Sequence, residues 1–314
     1  MPKKQDKKEL TGGDILKKTW KVISIGLSFL MFAFFAMLFF SIIGTFIPES
    51  IKIGNVAVIP IEGTISTAAE GFTPGTKSST IVDFIEEADK DSKIKAILLE
   101  INSPGGTPVA TDEIASAIKR ANKTTIAVIR ETGASGAFWI STAADRIFAN
   151  RMSVTGSIGV QASRLEFAGL ITDYNVTYRR LTAGRLKDAG SRFKEMTPEE
   201  QQLFQNMLDK LHTEFITAVA QNRNLPEETV RKLATGFVYL GSEAKELGLI
   251  DELGGKKEAL EYIGKTLNIT AEPVEYRERK TFLDSLSRVT SENFYNIGKG
   301  IGSVFTTETT VSFT

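Results

Sequence analysis

Apolar and polar positions follow different rhythms along this chain. Residues 22–47 form an uncharged run of 26, dense in Phe, Leu, Ile and Met. At about 1.5 Å per helical residue the run reaches roughly 39 Å, more than the ~30 Å hydrocarbon core of a bilayer, so it predicts a tilted membrane-spanning helix. From residue 55 the rhythm becomes short apolar runs alternating with amphipathic stretches. Residues 55–61, 94–101 and 125–129 read as buried strands, and 81–88 and 109–121 as helices. Ser78, Ser79 or Thr80 is placed to cap the first helix, and Ile114, Ala117 and Ile118 form one stripe of the second. Strands alternating with helices and ending in glycine turns indicate right-handed βαβ units in a parallel sheet.

Further along, 147–149, 157–161 and 176–181 suggest short strands, and a polar, glycine-containing loop fills 181–197. Thr197-Pro198-Glu199-Glu200 then opens a long helix to about Asn222, with Thr as N-cap, Pro at N1 and Glu at N3. Residues 226–234, 242–247 and 258–267 predict three shorter helices. Beyond about residue 278, Phe282, Leu286, Val289, Phe294, Ile297 and Ile301 recur at roughly helical spacing, but Gly298, Gly300 and Gly302 weaken any helix there. The expected organisation is a basic tail (1–21), an anchor (22–47), a folded domain (48–277) and a C-terminal tail (278–314) whose order the pattern leaves open.

Charge adds a direction to the anchor. Lysine plus arginine and aspartate plus glutamate both number 38, yet residues 1–21 hold seven lysines against Asp6, Glu9 and Asp14, a local +4 that leaves −4 for the remainder. That asymmetry predicts a cytoplasmic N-terminus and puts everything after Pro48 outside the cytoplasm. A cleaved signal peptide has an apolar core of about 7–15 residues and a small-x-small exit, which Ile47-Pro48-Glu49 does not offer. The folded part lacks the basic balance of a nucleic-acid binder. With no cysteine and one histidine, His212, the chain has no disulfide, no thiolate nucleophile and no cysteine- or histidine-rich metal centre.

The chemistry concentrates at two glycine turns after adjacent strands. Ser135 lies in Thr132-Gly133-Ala134-Ser135-Gly136-Ala137, between the third strand and a small-residue helix, where unpaired N–H groups point outward. Pro104-Gly105-Gly106 follows the second strand; with no Cβ in the way, its amides and that of Gly136 suit an oxyanion hole. The bland readings are a tight turn and helix-start packing. Gly133-x-Ser135-x-Ala137 also lacks the second glycine of a nucleophile elbow.

A nucleophilic serine needs a base. His212 falls in mid-helix and reads as a surface or satisfied residue, and Glu199 and Glu200 as helix-start charges complementing the dipole. Lysine is left. A lysine base must lose its proton near operating pH, a drop from about 10.4 to roughly 7–8 that burial can supply. Lys187 is on a loop and not on a solvated helix face, but by spacing alone it is no better placed than Lys194.

Five blocks in order break that tie. They are Asn102-Ser103-Pro104-Gly105-Gly106, Ala134-Ser135-Gly136 with Ile140-Ser141-Thr142-Ala143-Ala144-Asp145, Thr155-Gly156-Ser157-Ile158-Gly159-Val160, Leu186-Lys187-Asp188-Ala189-Gly190-Ser191 and Met196-Thr197-Pro198-Glu199-Glu200. Over about residues 54–265 the chain resembles the short, single-repeat signal peptide peptidase A family, serine–lysine membrane peptidases of the ClpP/crotonase superfamily. The resemblance implies a ClpP/crotonase-like α/β fold, a ββα superhelix with parallel sheets, behind one N-terminal transmembrane helix. It puts the nucleophile on Ser135, the general base on Lys187, a lysine-orienting hydroxyl on Ser157, and the oxyanion donors on Gly105, Gly106 and Gly136. It further implies hydrolysis of cleaved signal peptides and other extended apolar peptides through an acyl-enzyme, without metal or cofactor. Partners are peptide substrates, the bilayer and further copies in a homo-oligomeric ring whose sites are shared between subunits. Where the family has Ser-Gly-Gly-Tyr-Tyr, this chain has Ser135-Gly136-Ala137-Phe138-Trp139, a change expected in a pocket wall. The competing readings are a crotonase-type CoA-thioester enzyme and a non-catalytic membrane scaffold.

Overall fold

The computed structural model describes residues 12–46, 53–68 and 75–277. The amphipathic tail read into residues 278–314 lies outside them. Contacts divide the chain into two units, and the compact one runs from Ile53 to Glu278.

In the first unit, α1 (Gly12–Phe46) is one uninterrupted helix of 35 residues. Its stretch Thr19–Met37 is long and apolar enough to cross a membrane. Side chains such as Phe29, Leu30 and Phe32 are exposed. An apolar helix of that length and exposure is compatible with a membrane anchor.

The second unit has β1 (Val56–Glu62), β2 (Thr64–Ser66), β3 (Gly75–Lys77), α2 (Ser78–Lys90), β4 (Ala96–Ser103), α3 (Pro108–Arg120), β5 (Thr124–Ala134), α4 (Gly136–Thr142) and β6 (Arg146–Ala149). Next come β7 (Val154–Gly156), α5 (Ala168–Asp173), α6 (Pro198–Arg223), α7 (Glu227–Leu233), β8 (Val238–Leu240), α8 (Gly241–Glu246), β9 (Glu252–Leu253), α9 (Lys256–Leu267) and β10 (Pro273–Glu275). Strands β10-β1-β4-β5-β6-β9 form one sheet in that order, all parallel. Strand β7 continues alongside β5 where β6 stops, and β8 joins β7 antiparallel. The expected α/β fold with a mainly parallel sheet behind an apolar helix is what the chain forms.

The central strands read as unbroken apolar runs because both faces of the sheet are covered. Ala57, Ile59, Ile61, Ile97, Leu99, Ile101, Ala127 and Ile129 point to the larger core, under α2, α3, α4 and α6. Their neighbours Val56, Val58, Ala96, Leu98, Ile126 and Val128 point to the smaller one, against Ala259 and Ile263 of α9. Pro60 fits inside β1 for a local reason. Val56 and Val58 bond toward β10, so position 60 faces the same side, but β10 pairs no farther than Val58 and no ladder bond is lost.

Several expected boundaries move. Residues 157–161 and 176–181 are not strands: β7 ends at Gly156, and the second segment is exposed coil. The first keeps two backbone bonds to the chain just before β8 (Ser157 N–H to Phe237 O, 3.0 Å; Gly236 N–H to Ile158 O, 3.1 Å) but no ladder past Ile158, and the second has no strand beside it among the described residues. None of the three proposed residues caps α2. Lys77 is its N-cap, without a side-chain bond, while Ser78 lies inside the helix and donates to Glu113 Oε2. The capping box at Thr197 and Glu200 forms as expected.

Candidate active site

Strand β5 runs five residues past its expected end. It matches β4 one to one up to Ile129–Ile101, then pairs Gly133 with Ser103, so Arg130 and Glu131 are extra residues in a bulge. The buried Ser153 hydroxyl donates to the Ile129 carbonyl (3.2 Å) and to that of Arg130, satisfying the bulge from within. Beyond it, Thr132–Ala134 turn to β7, and the Thr155 hydroxyl holds the Gly133 carbonyl at 2.7 Å. Bulges re-aim strands beside functional sites. Here the one expected glycine turn at Gly133 is replaced by strand, and the chain reverses one step later, at Ser135.

Ser135 carries that reversal with φ 53° and ψ −125°, a region that favours glycine. Holding a side chain there costs on the order of 1–3 kcal/mol. The backbone is pinned on both sides: Ser135 N–H donates to the Gly156 carbonyl (2.8 Å), and its own carbonyl accepts from Trp139 N–H (3.0 Å). The half-buried Ser135 therefore sits at the N-cap of α4 without capping it, its hydroxyl left to other work.

The second turn lies directly against this one. A Cβ on Gly105 would fall 2.8 Å from Gly136 N and 2.9 Å from Ser135 Cβ, so only glycine allows the approach. The Gly105 amide donates to Ser103 Oγ (3.1 Å), and Ser103 in turn donates to the Gly63 carbonyl (2.6 Å). Gly105 thus supplies room and geometry, not the amide expected of it. Gly106 bridges Ile65 of β2, where Ile65 N–H bonds the Gly105 carbonyl and Thr107 N–H bonds the Ile65 carbonyl. In a parallel bridge the groups of Gly106 itself face the opposite way, toward Gly136. A Cβ on Gly136 would lie 3.3 Å from Gly106 N and 2.4 Å from Thr111 Oγ1. Among the described residues, neither the Gly106 nor the Gly136 amide has an acceptor. Two converging donors beside a strained serine hydroxyl can hold the oxygen of a tetrahedral adduct.

Ser157 follows Gly156 at φ 51°, and its hydroxyl donates to the Gly236 carbonyl (3.0 Å). With its proton so committed, the oxygen presents lone pairs and serves as an acceptor. Lys187 lies elsewhere. It is exposed on the turns between Gly184 and Gly190, and among the described residues no hydrogen bond joins it to Ser135 or Ser157. The structure does separate the two lysines that spacing could not. Lys194 is held by Glu200 and lies 3.6 Å from Asp188, whereas Lys187 has no carboxylate partner among the described residues. Phe138 and Trp139 do not wall the site: Phe138 is buried in the larger core, and Trp139 stacks on Phe215 at 5.0 Å over a cleft between α3 and α6.

Residues 117–270 match the model of peptidase family S49. A protein of Methanocaldococcus jannaschii named as a protease is 35% identical over 242 residues, covering 75% of this chain and 76% of that one. The chain belongs to peptidase family S49. An Enterococcus faecium protein named as the signal peptide peptidase SppA is 32% identical, covering 72% of this S49 chain and 68% of its own. The chloroplastic serine protease SPPA of Arabidopsis thaliana is 30% identical over 79% of this chain and 37% of its own. A solved structure of a membrane-bound stomatin-specific protease aligns with 72% of this chain and 99% of that one, at 16% identity and a TM-score of 0.47. The S49 membership makes this a serine-type peptidase, and the apolar helix α1 is compatible with membrane anchoring.

Sequence reasoning missed the supports of this candidate site: Ile65, Ser103, Thr111 and Ser153. Strand β2 has three residues, too few for an alternating pattern to register. The hydroxyls had no signal beyond lying beside glycine turns.

Proposed function

We propose that this S49 peptidase works through a Ser135–Lys187 dyad. Ser135 attacks the peptide carbonyl, neutral Lys187 takes the hydroxyl proton and returns it to the leaving amine, and water then hydrolyses the acyl-enzyme. The amides of Gly106 and Gly136 hold the oxyanion, and the Ser157 oxygen accepts a hydrogen bond from Lys187. The observation that carries the reading is the geometry at Ser135, where a positive-φ turn presents the hydroxyl beside two amides without acceptors.

In one chain the base is not delivered, and we assign its delivery to a neighbouring copy. The segment bearing Lys187 exposes Leu165, Leu170, Tyr174, Val176, Leu181 and Phe193. These exposed large apolar side chains within residues 165–193 support an interaction surface on this segment. A homo-oligomeric ring that buries it would strip water from the Lys187 amine and bring it to the next subunit's serine. Substrates are extended apolar peptides, among them cleaved signal peptides, met outside the cytoplasm by a domain anchored through residues 22–47.

Ser135→Ala and Lys187→Ala are each expected to lower turnover by more than about 10³-fold while remaining folded. Mixing the two inactive variants tests the sharing: random assembly restores roughly a quarter of native activity if each site draws serine and lysine from different subunits. No recovery in mixed, native-sized assemblies rules out the shared site, and native turnover by either single variant rules out the dyad.

A further inference from the structure

The loop bearing Lys187 is built around charges that Lys187 itself does not use. Asp188, its immediate neighbour, is the obvious partner for a free amine, yet its side chain is only 7% exposed and turns inward. Its Oδ2 accepts from Arg180 Nη1 and lies 3.6 Å from Lys194 Nζ. Lys194 then donates to Glu200 Oε1, and Glu200 is 3% exposed. The other oxygen of Glu200 accepts from Thr197 N–H (3.0 Å), while Glu200 N–H donates to Thr197 Oγ1 (3.2 Å). A continuous chain of polar contacts therefore runs from the residue after Lys187 to the N-cap of α6.

We propose that Asp188, Lys194 and Glu200 are positioning residues that tie the Lys187 loop to the start of α6 as a charge-balanced unit, so that no carboxylate competes for the Lys187 amine. The proposal rests on the reading of Lys187 as the base. Burying charges in a segment otherwise so exposed does not add stability, because the desolvation cost offsets the Coulomb gain. What such a cluster fixes is geometry, and here also the field. Arg180 and Lys194 balance Asp188 and Glu200 charge for charge.

The other ionic groups of the segment are accounted for as well. Arg164 pairs with Glu166 and Arg185 with Glu199, while Asp173, Arg179, Arg192 and Glu195 are exposed to solvent. The bond from Arg180 holds the Asp188 carboxyl below the usual carboxylate range, and the bond from Lys194 does the same for Glu200. The two carboxyls of the unit thus stay ionised across the pH range in which a lysine base titrates. Three successive turns hold the backbone: Lys187 N–H to Gly184 O (3.1 Å), Ala189 N–H to Leu186 O (3.0 Å) and Ser191 N–H to Asp188 O (3.0 Å).

Removing one charge of the unit unbalances the field with a defined sign. In Asp188→Asn the surplus is positive, which favours the neutral amine and moves the rising limb of the pH–activity profile to lower pH. In Lys194→Met the surplus is negative and the limb moves to higher pH. Each shift is expected to be about half a pH unit, the effect of one charge roughly 10 Å away in a water-rich setting. Both shrink in high salt. Lys194→Arg, which keeps the charge, restores the native midpoint.

The test is the pH dependence of kcat for these variants in the full-length, assembled protein, with thermal melts confirming that each is folded. Opposite shifts for Asp188→Asn and Lys194→Met support the unit. A fall in kcat with unmoved midpoints, or midpoints moving the same way, overturns it while leaving the dyad standing. Lys187→Ala measured alongside tells the two failures apart, because native turnover there removes the base and the inference with it.

Discussion

The half of the compact unit that carries Ser135 and the segment that carries Lys187 are built on opposite principles. From β1 to β7 nearly every apolar side chain is buried, both sheet faces are covered, and the turns at Gly105 and Ser135 are so close that a single Cβ would part them. Between Ser157 and Thr197 the chain is mostly exposed, with one short helix and few contacts on the sheet. A site assembled in one chain would have both halves rigid. On the dyad proposed above, the difference means that the nucleophile is prepared by the fold and the base by whatever covers the exposed segment.

The sharpest way to break the comparison is at the rigid half. Gly136→Ala puts a methyl 2.4 Å from Thr111 Oγ1 and 3.3 Å from Gly106 N, so either Thr111 or the backbone at Gly136 has to shift. We expect kcat to fall about 10²–10³-fold, the loss of one oxyanion donor. Adding Thr111→Ala makes room and recovers part of the loss; a double variant no better than the single one would mean that the amide has no such role.

Acid should distinguish the halves next. Asp251 accepts from Ile147 N–H (2.7 Å) and from both terminal nitrogens of Arg223 (3.0 and 2.8 Å), joining β6 to α6. Burial alone would raise its carboxyl, but the Arg223 and Ile147 bonds outweigh this and hold it below its usual range. A depressed folded value means stability that is present above the ordinary carboxylate range and is lost as pH falls through the folded value. Asp251→Asn is expected to cost about 2–3 kcal/mol at neutral pH and to flatten the acid limb of the melting curve. An unchanged acid limb would remove Asp251 from the account.

The mildest probe is at the junction of the halves. Thr197→Ala deletes the cap of α6 and should cost about 1 kcal/mol in urea or heat. Its effect on kcat should exceed its effect on stability, since losing the acceptor of the Glu200 N–H loosens the residue whose carboxylate holds Lys194. Equal proportional losses would show that the cap serves the helix alone.

Legibility in the sequence followed the same division. The strands of the core were visible because a sheet covered on both faces makes continuous apolar runs, and the start of α6 because capping is local chemistry. Ser135 stood out through its place between a strand and small residues. The bulge at Arg130–Glu131 was invisible, since it depends on the register against β4 and on the Ser153 hydroxyl from a later turn. Apolar alternation at 176–181 resembled a strand but had no edge to join. Spacing left Lys187 and Lys194 level until the five-block resemblance favoured Lys187; the pairing of Lys194 with Glu200 across the loop is what no spacing reveals.

Pro60 closes off an accident that a peptide-cutting enzyme courts. Its targets are chains able to lie down on any open row of amides, and along β1 past β10 only position 60 lacks a partner among the described residues, since Thr76 Oγ1 holds the amide and the carbonyl of Glu62. A ring nitrogen with nothing to donate makes that stretch a poor berth, so a guest strand gains little by lodging there, and copies of the enzyme gain as little by zipping together along it.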